Sequence, residues 1–170
     1  MSSAAAKLKQ RLSGYWKMEA GNVVLLPAIL IMLTRWNLSW IALVCLVPMM
    51  FMLAVGAYYW RIKLKQLEDK SFRFASAVRI ISGCQMPAVL MILIGLIALV
   101  YGWVGAGHFT GAWDQGVATF AVIMAILEYV NYYHRQLQHF DHGPDFKRLL
   151  SGKGLRASQM AKDLKTYRRT

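Results

Sequence analysis

The sequence predicts an all-α integral membrane bundle of four transmembrane helices, N-in and C-in, with an amphipathic N-terminal arm and short cytoplasmic C-terminal helices. Three observations carry this prediction. Hydrophobic residues make up 57% of the 170 positions, and mean hydropathy is +0.37, against an apolar share of roughly 45–50% in a soluble domain. Two intervals, Trp36 to Trp60 and Ile80 to Trp113, hold no Asp, Glu, Lys or Arg, and each exceeds the ~20 residues a spanning helix needs. The 20 Lys and Arg fall in alternate polar segments: four in the N-terminal arm, one in the first loop, six in the middle loop, none in the third and nine after the last span. Lys and Arg of short loops gather on the cytoplasmic side. An even number of crossings with both termini inside places all of them but Arg35 there.

Each element follows in order. Residues 1–18 form the arm, with Leu8, Leu12, Tyr15 and Trp16 on one helical face and Lys7, Lys9, Arg11 and Lys17 beside it. Such a helix is expected to lie along the inner leaflet. The membrane domain covers residues 19–134, with spans at about 16–34, 38–59, 86–104 and 115–133. Basic residues precede the first apolar run, as in a signal peptide, but no A-x-A cleavage pattern follows it, so it reads as a retained span. The apolar parts of the first and last spans, Ala20 to Thr34 and Gln115 to Leu127, are short; each reaches spanning length by taking in one glutamate, Glu19 and Glu128.

Pro27 and Pro48 fall mid-span, where they read as structural kinks. Pro87 sits in a first helical turn, where its missing N–H costs little. Trp36, Trp40, Tyr101, Trp103 and Trp113 mark the outer boundary, and Tyr15, Trp16, Tyr58 to Trp60 and Tyr129 to Tyr133 the inner one. Gly95, Ala98, Gly102 and Ala106 form a small-residue strip suited to internal packing or self-association. The basic tail, residues 135–170, opens a short helix at Pro144 and Asp145, breaks at Gly152 and Gly154, and carries a second apolar stripe of Met160, Leu164 and Tyr167. Cys45 and Cys84 fall at opposite depths, beyond the ~7 Å a disulfide tolerates, and read as small packing residues.

The stretch from Glu128 to Asp145 concentrates the ionisable groups. On a continuing helix, Glu128, Asn131, Arg135, Gln138 and His142 form one polar stripe. A carboxylate in hydrocarbon is expensive, so Glu19 and Glu128 are expected to face the bundle interior and pair with cations. The candidate intramembrane polar cluster is Glu19, Glu128, Asn131, Arg135, Lys17, Arg61 and Arg79, closing helices one, two and four at the inner boundary. Its plainer reading is an interfacial ion-pair network; its sharper one is a proton, cation or headgroup site. Lys7, Lys9, Arg11, Lys63, Lys65, Arg168 and Arg169 are the candidate lipid-facing basic residues.

Other chemistry finds little support. His134, His139, Asp141, His142 and Asp145 invite a metal, but two histidines at i, i+3 make no ligand set, so no metal and no cofactor is expected. No serine has a histidine at membrane depth, no aspartate lies within a span to hold a divalent ion, and there is no P-loop. The +12 charge is interleaved with apolar runs and points to anionic lipid rather than nucleic acid. The reading is therefore a bacterial inner-membrane protein. It serves as a non-enzymatic accessory or scaffold subunit that binds a membrane partner or anionic lipid at the cytoplasmic face, with a second copy of itself among the expected partners. A small transporter or channel subunit using Glu19 and Glu128 is the alternative, and a lipid-headgroup enzyme using Glu128 or His134 a further one.

Overall fold

The computed structural model describes residues 3–105, 107–137 and 154–168, and all regular structure among them is helical. The helices are α1 (Ser3–Leu33), α2 (Trp40–Glu68), α3 (Phe74–Gly83), α4 (Gln85–Val104), α5 (Ala112–Tyr133) and α6 (Gln159–Tyr167). Four helical segments are long and apolar enough to cross a membrane: α1, α2, α3 with α4, and α5. The expected helix from Pro144 and Asp145 to Leu150 lies outside the described residues, as do Gln138, His139, Asp141, His142 and Arg169.

Helix α2 is the centre of the fold. It packs against α1, α4 and α5, whereas α1 touches α5 only lightly. Ile41, Ala42, Cys45, Leu46, Met49, Leu53 and Ile62 bury its length from one end to the other. The remaining helices bury one side each. Val24, Leu25 and Ile29 of α1, and Leu90, Ile94 and Ile97 of α4, are exposed, as expected of helices whose outer sides meet hydrocarbon.

The small-residue strip of α4 serves internal packing. A Cβ at Gly95 would lie 3.3 Å from Cγ of Pro48, and one at Gly102 would lie 2.9 Å from Cδ1 of Ile41, so α4 seats directly on α2. Cys45 donates its thiol to the Gly95 carbonyl at 3.5 Å across the same contact. Ala106 lies outside the described residues. Pro27 and Pro48 both stand inside uninterrupted helices, whereas Pro87 follows a break: α3 ends at Gly83, and Cys84 alone separates it from α4. Pro87 has no N–H to offer the Gly83 carbonyl four residues back, and its ring crowds that position.

The N-terminal arm departs from expectation. It is not a separate helix lying across the leaflet but the first turns of α1, which runs unbroken from Ser3. The reason is α2, whose 29 residues extend about 44 Å at 1.5 Å per residue, past a ~30 Å hydrocarbon core. The overhang gives the arm a partner. Lys9 pairs with Glu68 at 2.8 Å, Tyr15 meets Trp60 at 5.3 Å between ring centroids, and the Arg61 guanidinium lies 4.7 Å over the Trp16 ring.

The middle segment was expected to be a loop and instead holds α3. A short turn reverses the chain after Glu68, where Asp69 accepts from the N–H and the hydroxyl of Ser71 at 2.8 and 2.6 Å. These bonds hold the Asp69 carboxyl below the usual carboxylate range. Ala77, Val78 and Ile81 then bury one side of α3.

At the opposite end, α1 closes with bonds from Trp36 N–H to the Ile31 carbonyl at 3.3 Å and from Arg35 N–H to that of Met32 at 3.0 Å. This is a Schellman closure, with Arg35 at φ 53° and Trp36 at φ 65° in the left-handed region that favours glycine. Asp114, only 1% exposed, fastens the same end. Its carboxylate accepts from Ser39 N–H at 3.1 Å and from Thr110 N–H at 3.0 Å, and so joins the starts of α2 and α5. Replacing it tests this clamp. Asp114→Ala orphans the buried Ser39 N–H and is expected to cost about 1–3 kcal/mol, while Asp114→Asn, which keeps one acceptor, should cost less. Thermal unfolding in detergent reads both.

Candidate functional site

The polar groups of the fold converge at the end where α1 begins and α5 finishes. Glu19 of α1 accepts a hydrogen bond from the Tyr132 hydroxyl of α5 at 2.9 Å. Glu128, one turn back along α5, interacts with the same hydroxyl and accepts from Asn131 Nδ2 at 3.4 Å. Both carboxyls are buried, at 8% and 9% exposure. A third helix completes the site by omission. A Cβ at Gly56 of α2 would collide with the Tyr132 hydroxyl, so glycine is what lets the phenol reach between the two acids.

The structure brings Glu19, Glu128 and Asn131 to one place, but without the cations expected beside them. Among the described residues the ion pairs are Lys9 with Glu68 and Lys63 with Asp163, and neither buried glutamate is in one. Lys17 and Arg79 are exposed. Arg61 is drawn to the Trp16 ring, because α1 and α2 lie side by side there. Arg135 never joins the stripe, since α5 ends at Tyr133. From there the chain turns back: Arg135 forms an antiparallel bridge with Ala157, and its guanidinium donates to the Leu155 carbonyl at 2.9 Å. Asn131 secures that turn by accepting from Leu137 N–H at 2.9 Å.

Helix α6 packs against α3 and α5 at this end of the bundle. Met160 and Leu164 are buried as the apolar stripe of the tail predicts, but they cover protein rather than lipid. Ser158 caps α6, accepting from Ala161 N–H at 3.0 Å while donating to the Tyr132 carbonyl. Asp163 accepts from the Tyr59 hydroxyl at 2.7 Å and pairs with Lys63 at 2.7 Å. Arg168 donates to Gln85 Oε1 at 2.8 Å.

These contacts correct several candidate lipid-facing residues. Lys63 is an internal brace that also lies 4.6 Å over the Phe74 ring, Lys9 pairs with Glu68, and Arg168 is held by Gln85. Lys7 and Lys65 remain exposed, and Arg11, also exposed, donates to the Tyr15 hydroxyl at 2.7 Å.

A cavity of about 460 Å³ opens beside the site. Glu19, Asn131 and Tyr132 form its polar wall, Leu12 and Trp60 belong to its apolar one, and Arg156 and Lys162 stand at its edge. Glu128 stands behind Tyr132, whose hydroxyl it shares with Glu19. His134 lies 5.4 Å from the Tyr129 ring and lines a separate cavity with Gln85, Lys165 and Arg168. No set of three or more His, Cys, Asp or Glu among the described residues converges as metal ligands would.

Asp114, Ser158 and Asp163 were missed by sequence reasoning. An acid in the first turn of a helix is a legible signal for Asp114, and Ser158 ahead of Gln159–Tyr167 is one for a cap. Nothing local distinguishes Asp163. Comparison of the chain with protein-family models, with curated proteins and with solved structures finds no match in any of the three.

The junction makes a stability prediction of its own. Tyr132→Phe removes the shared donor and is expected to cost about 1–3 kcal/mol. Gly56→Ala forces the ring away and should cost a similar ~1–3 kcal/mol. Combined, they should cost less than their sum, because a Cβ at Gly56 meets the Tyr132 ring carbons as well as its hydroxyl and, in displacing the ring, already forfeits the bonds that Tyr132→Phe removes. Detergent unfolding of the single and double variants measures this, and strict additivity would show that Gly56 and Tyr132 do not share the space.

Proposed function

We propose that this chain is a multi-pass protein of the bacterial inner membrane with both termini cytoplasmic, acting as a non-enzymatic subunit that binds anionic lipid or a membrane partner at its inner face. One observation carries the reading. Of the Lys and Arg that the structure describes, Arg35 alone belongs to the end where Asp114 sits, while the rest belong to segments that meet around α6. This asymmetry supports the orientation through the preference of short basic loops for the cytoplasm. It supports lipid attraction too, since each juxtamembrane cation near an anionic leaflet contributes about 1 kcal/mol.

A cation or proton pathway is a second reading, favoured by Glu19 and Glu128 sharing Tyr132 without an ion pair among the described residues. Its test is flux in proteoliposomes, which Glu128→Gln should abolish; unchanged flux removes it.

The topology is tested by single-cysteine labelling of a Cys45→Ala, Cys84→Ala background in intact cells. A cysteine at Arg35 is expected to react with an impermeant maleimide from outside, and cysteines at Lys7 and Lys165 only after the cells are opened. Labelling of Lys7→Cys and Lys165→Cys from opposite sides would overturn the proposal.

A further inference from the structure

A second cavity, of about 370 Å³, lies between α2 and α3, away from Glu19 and Tyr132. Its wall has a polarity gradient. Along α2 the lining runs Tyr58, Arg61, Lys65, and along α3, in the reverse direction, Ile80, Ser76, Arg73. Tyr58 to Lys65 is about 10 Å of helix, so the groove changes from apolar beside the spanning segments to basic at the far end of α2 over roughly the depth of a lipid headgroup and its glycerol.

Charge bookkeeping distinguishes this groove from the rest of the inner end. Among the described residues, none of Arg61, Lys65 and Arg73 is in an ion pair. The acids that end α2 are occupied, Glu68 by Lys9 and Asp69 by Ser71. Aromatic rings hold two of the cations in place: Arg61 lies over Trp16 at 4.7 Å and Lys65 over Phe72 at 5.9 Å. Stacking uses the face of a guanidinium and leaves its N–H edge free to donate to oxyanions. Ser76, exposed on the groove wall, adds a hydroxyl at the middle of the gradient.

We infer that the α2–α3 groove is a binding site for an anionic glycerophospholipid of the inner leaflet. Its phosphate is held by Arg61, Lys65 and Arg73, and its chains leave past Tyr58 and Ile80. The inference rests on the membrane reading above and gives its lipid a site and a headgroup chemistry.

The test is native mass spectrometry of the full chain released from nanodiscs of phosphatidylcholine with phosphatidylglycerol admixed, or of phosphatidylcholine alone. The expected result is a discrete phosphatidylglycerol adduct on the wild-type protein, with affinity falling about fivefold for each of Arg61→Gln, Lys65→Gln and Arg73→Gln. Lys7→Gln, Lys162→Gln and Lys165→Gln remove the same charge elsewhere on the inner face and should leave the adduct in place. Ser76→Leu, which fills the groove without changing charge, should also remove it. Equal loss from both charge sets would overturn the groove while leaving a diffuse basic surface, and hence the wider proposal, standing. No preference for phosphatidylglycerol in any variant would overturn both. Displacement of the adduct by inorganic phosphate alone would show an anion site that does not read lipid.

Discussion

Helix α2 must pack against α1, α4 and α5 at once, and the other elements take their places from that requirement. In hydrocarbon each spanning helix satisfies its own backbone, and apolar side chains gain little by leaving lipid for protein. Association then depends on close fit. The fit is visible where a side chain is missing: Gly95 under Pro48, Gly102 against Ile41 and Gly56 beneath Tyr132. Each contact admits α4 or α5 to the surface of α2 at a distance that a larger residue would forbid. Helix α1 uses a different device, pairing its first turns with the α2 overhang through Lys9, Tyr15 and Trp16.

The two ends are closed by opposite means. At one, Asp114 gathers the N–H groups of Ser39 and Thr110 and so fixes where α2 and α5 start. At the other, α6 returns beneath the bundle and is held by Asp163 between Tyr59 and Lys63, by Ser158 under Tyr132 and by Arg168 on Gln85. Tyr132 links the two layers of that end. Its hydroxyl serves the acids of the apolar region, and its carbonyl receives the Ser158 hydroxyl of the segment below. Each such bond contributes about 1 kcal/mol on its own, but together they order a surface that would otherwise be a set of separate basic tails.

Much of this was legible in the sequence because length and charge alone decide it. The presence of four long apolar helices, the small-residue strip of α4 and the approach of Glu19 to Glu128 follow from charge-free intervals, residue size and matching depth, whereas the helix ends do not, since α1 starts at Ser3 and α2 runs on to Glu68. What was not legible depended on partners distant in the chain. Arg135 continues the helical spacing from Glu128 and Asn131, yet the helix stops at Tyr133 because Ala157, Leu155 and Ser158 offer that turn another set of bonds. The arm has the pattern of an interfacial helix, yet Glu68 and Trp60 of α2 claim it. Periodicity identifies an amphipathic face and leaves open whether protein or lipid covers it.

That ambiguity also explains how cations divide by role at the end where α6 packs. A lysine facing an acid across a helix contact, such as Lys63 on Asp163, is spent on architecture: its charge is neutralised locally, and the lipid surface sees little of it. A cation held over a ring is different, because the ring fixes its position without cancelling its charge. Arg61 and Lys65 are of this second kind, and they lie on the overhanging part of α2, which the arm and α6 brace from other sides. The contacts that stiffen this end therefore leave a subset of its positive charge both ordered and uncompensated, which is the condition under which a basic surface can hold one headgroup at one place rather than attract a leaflet at large.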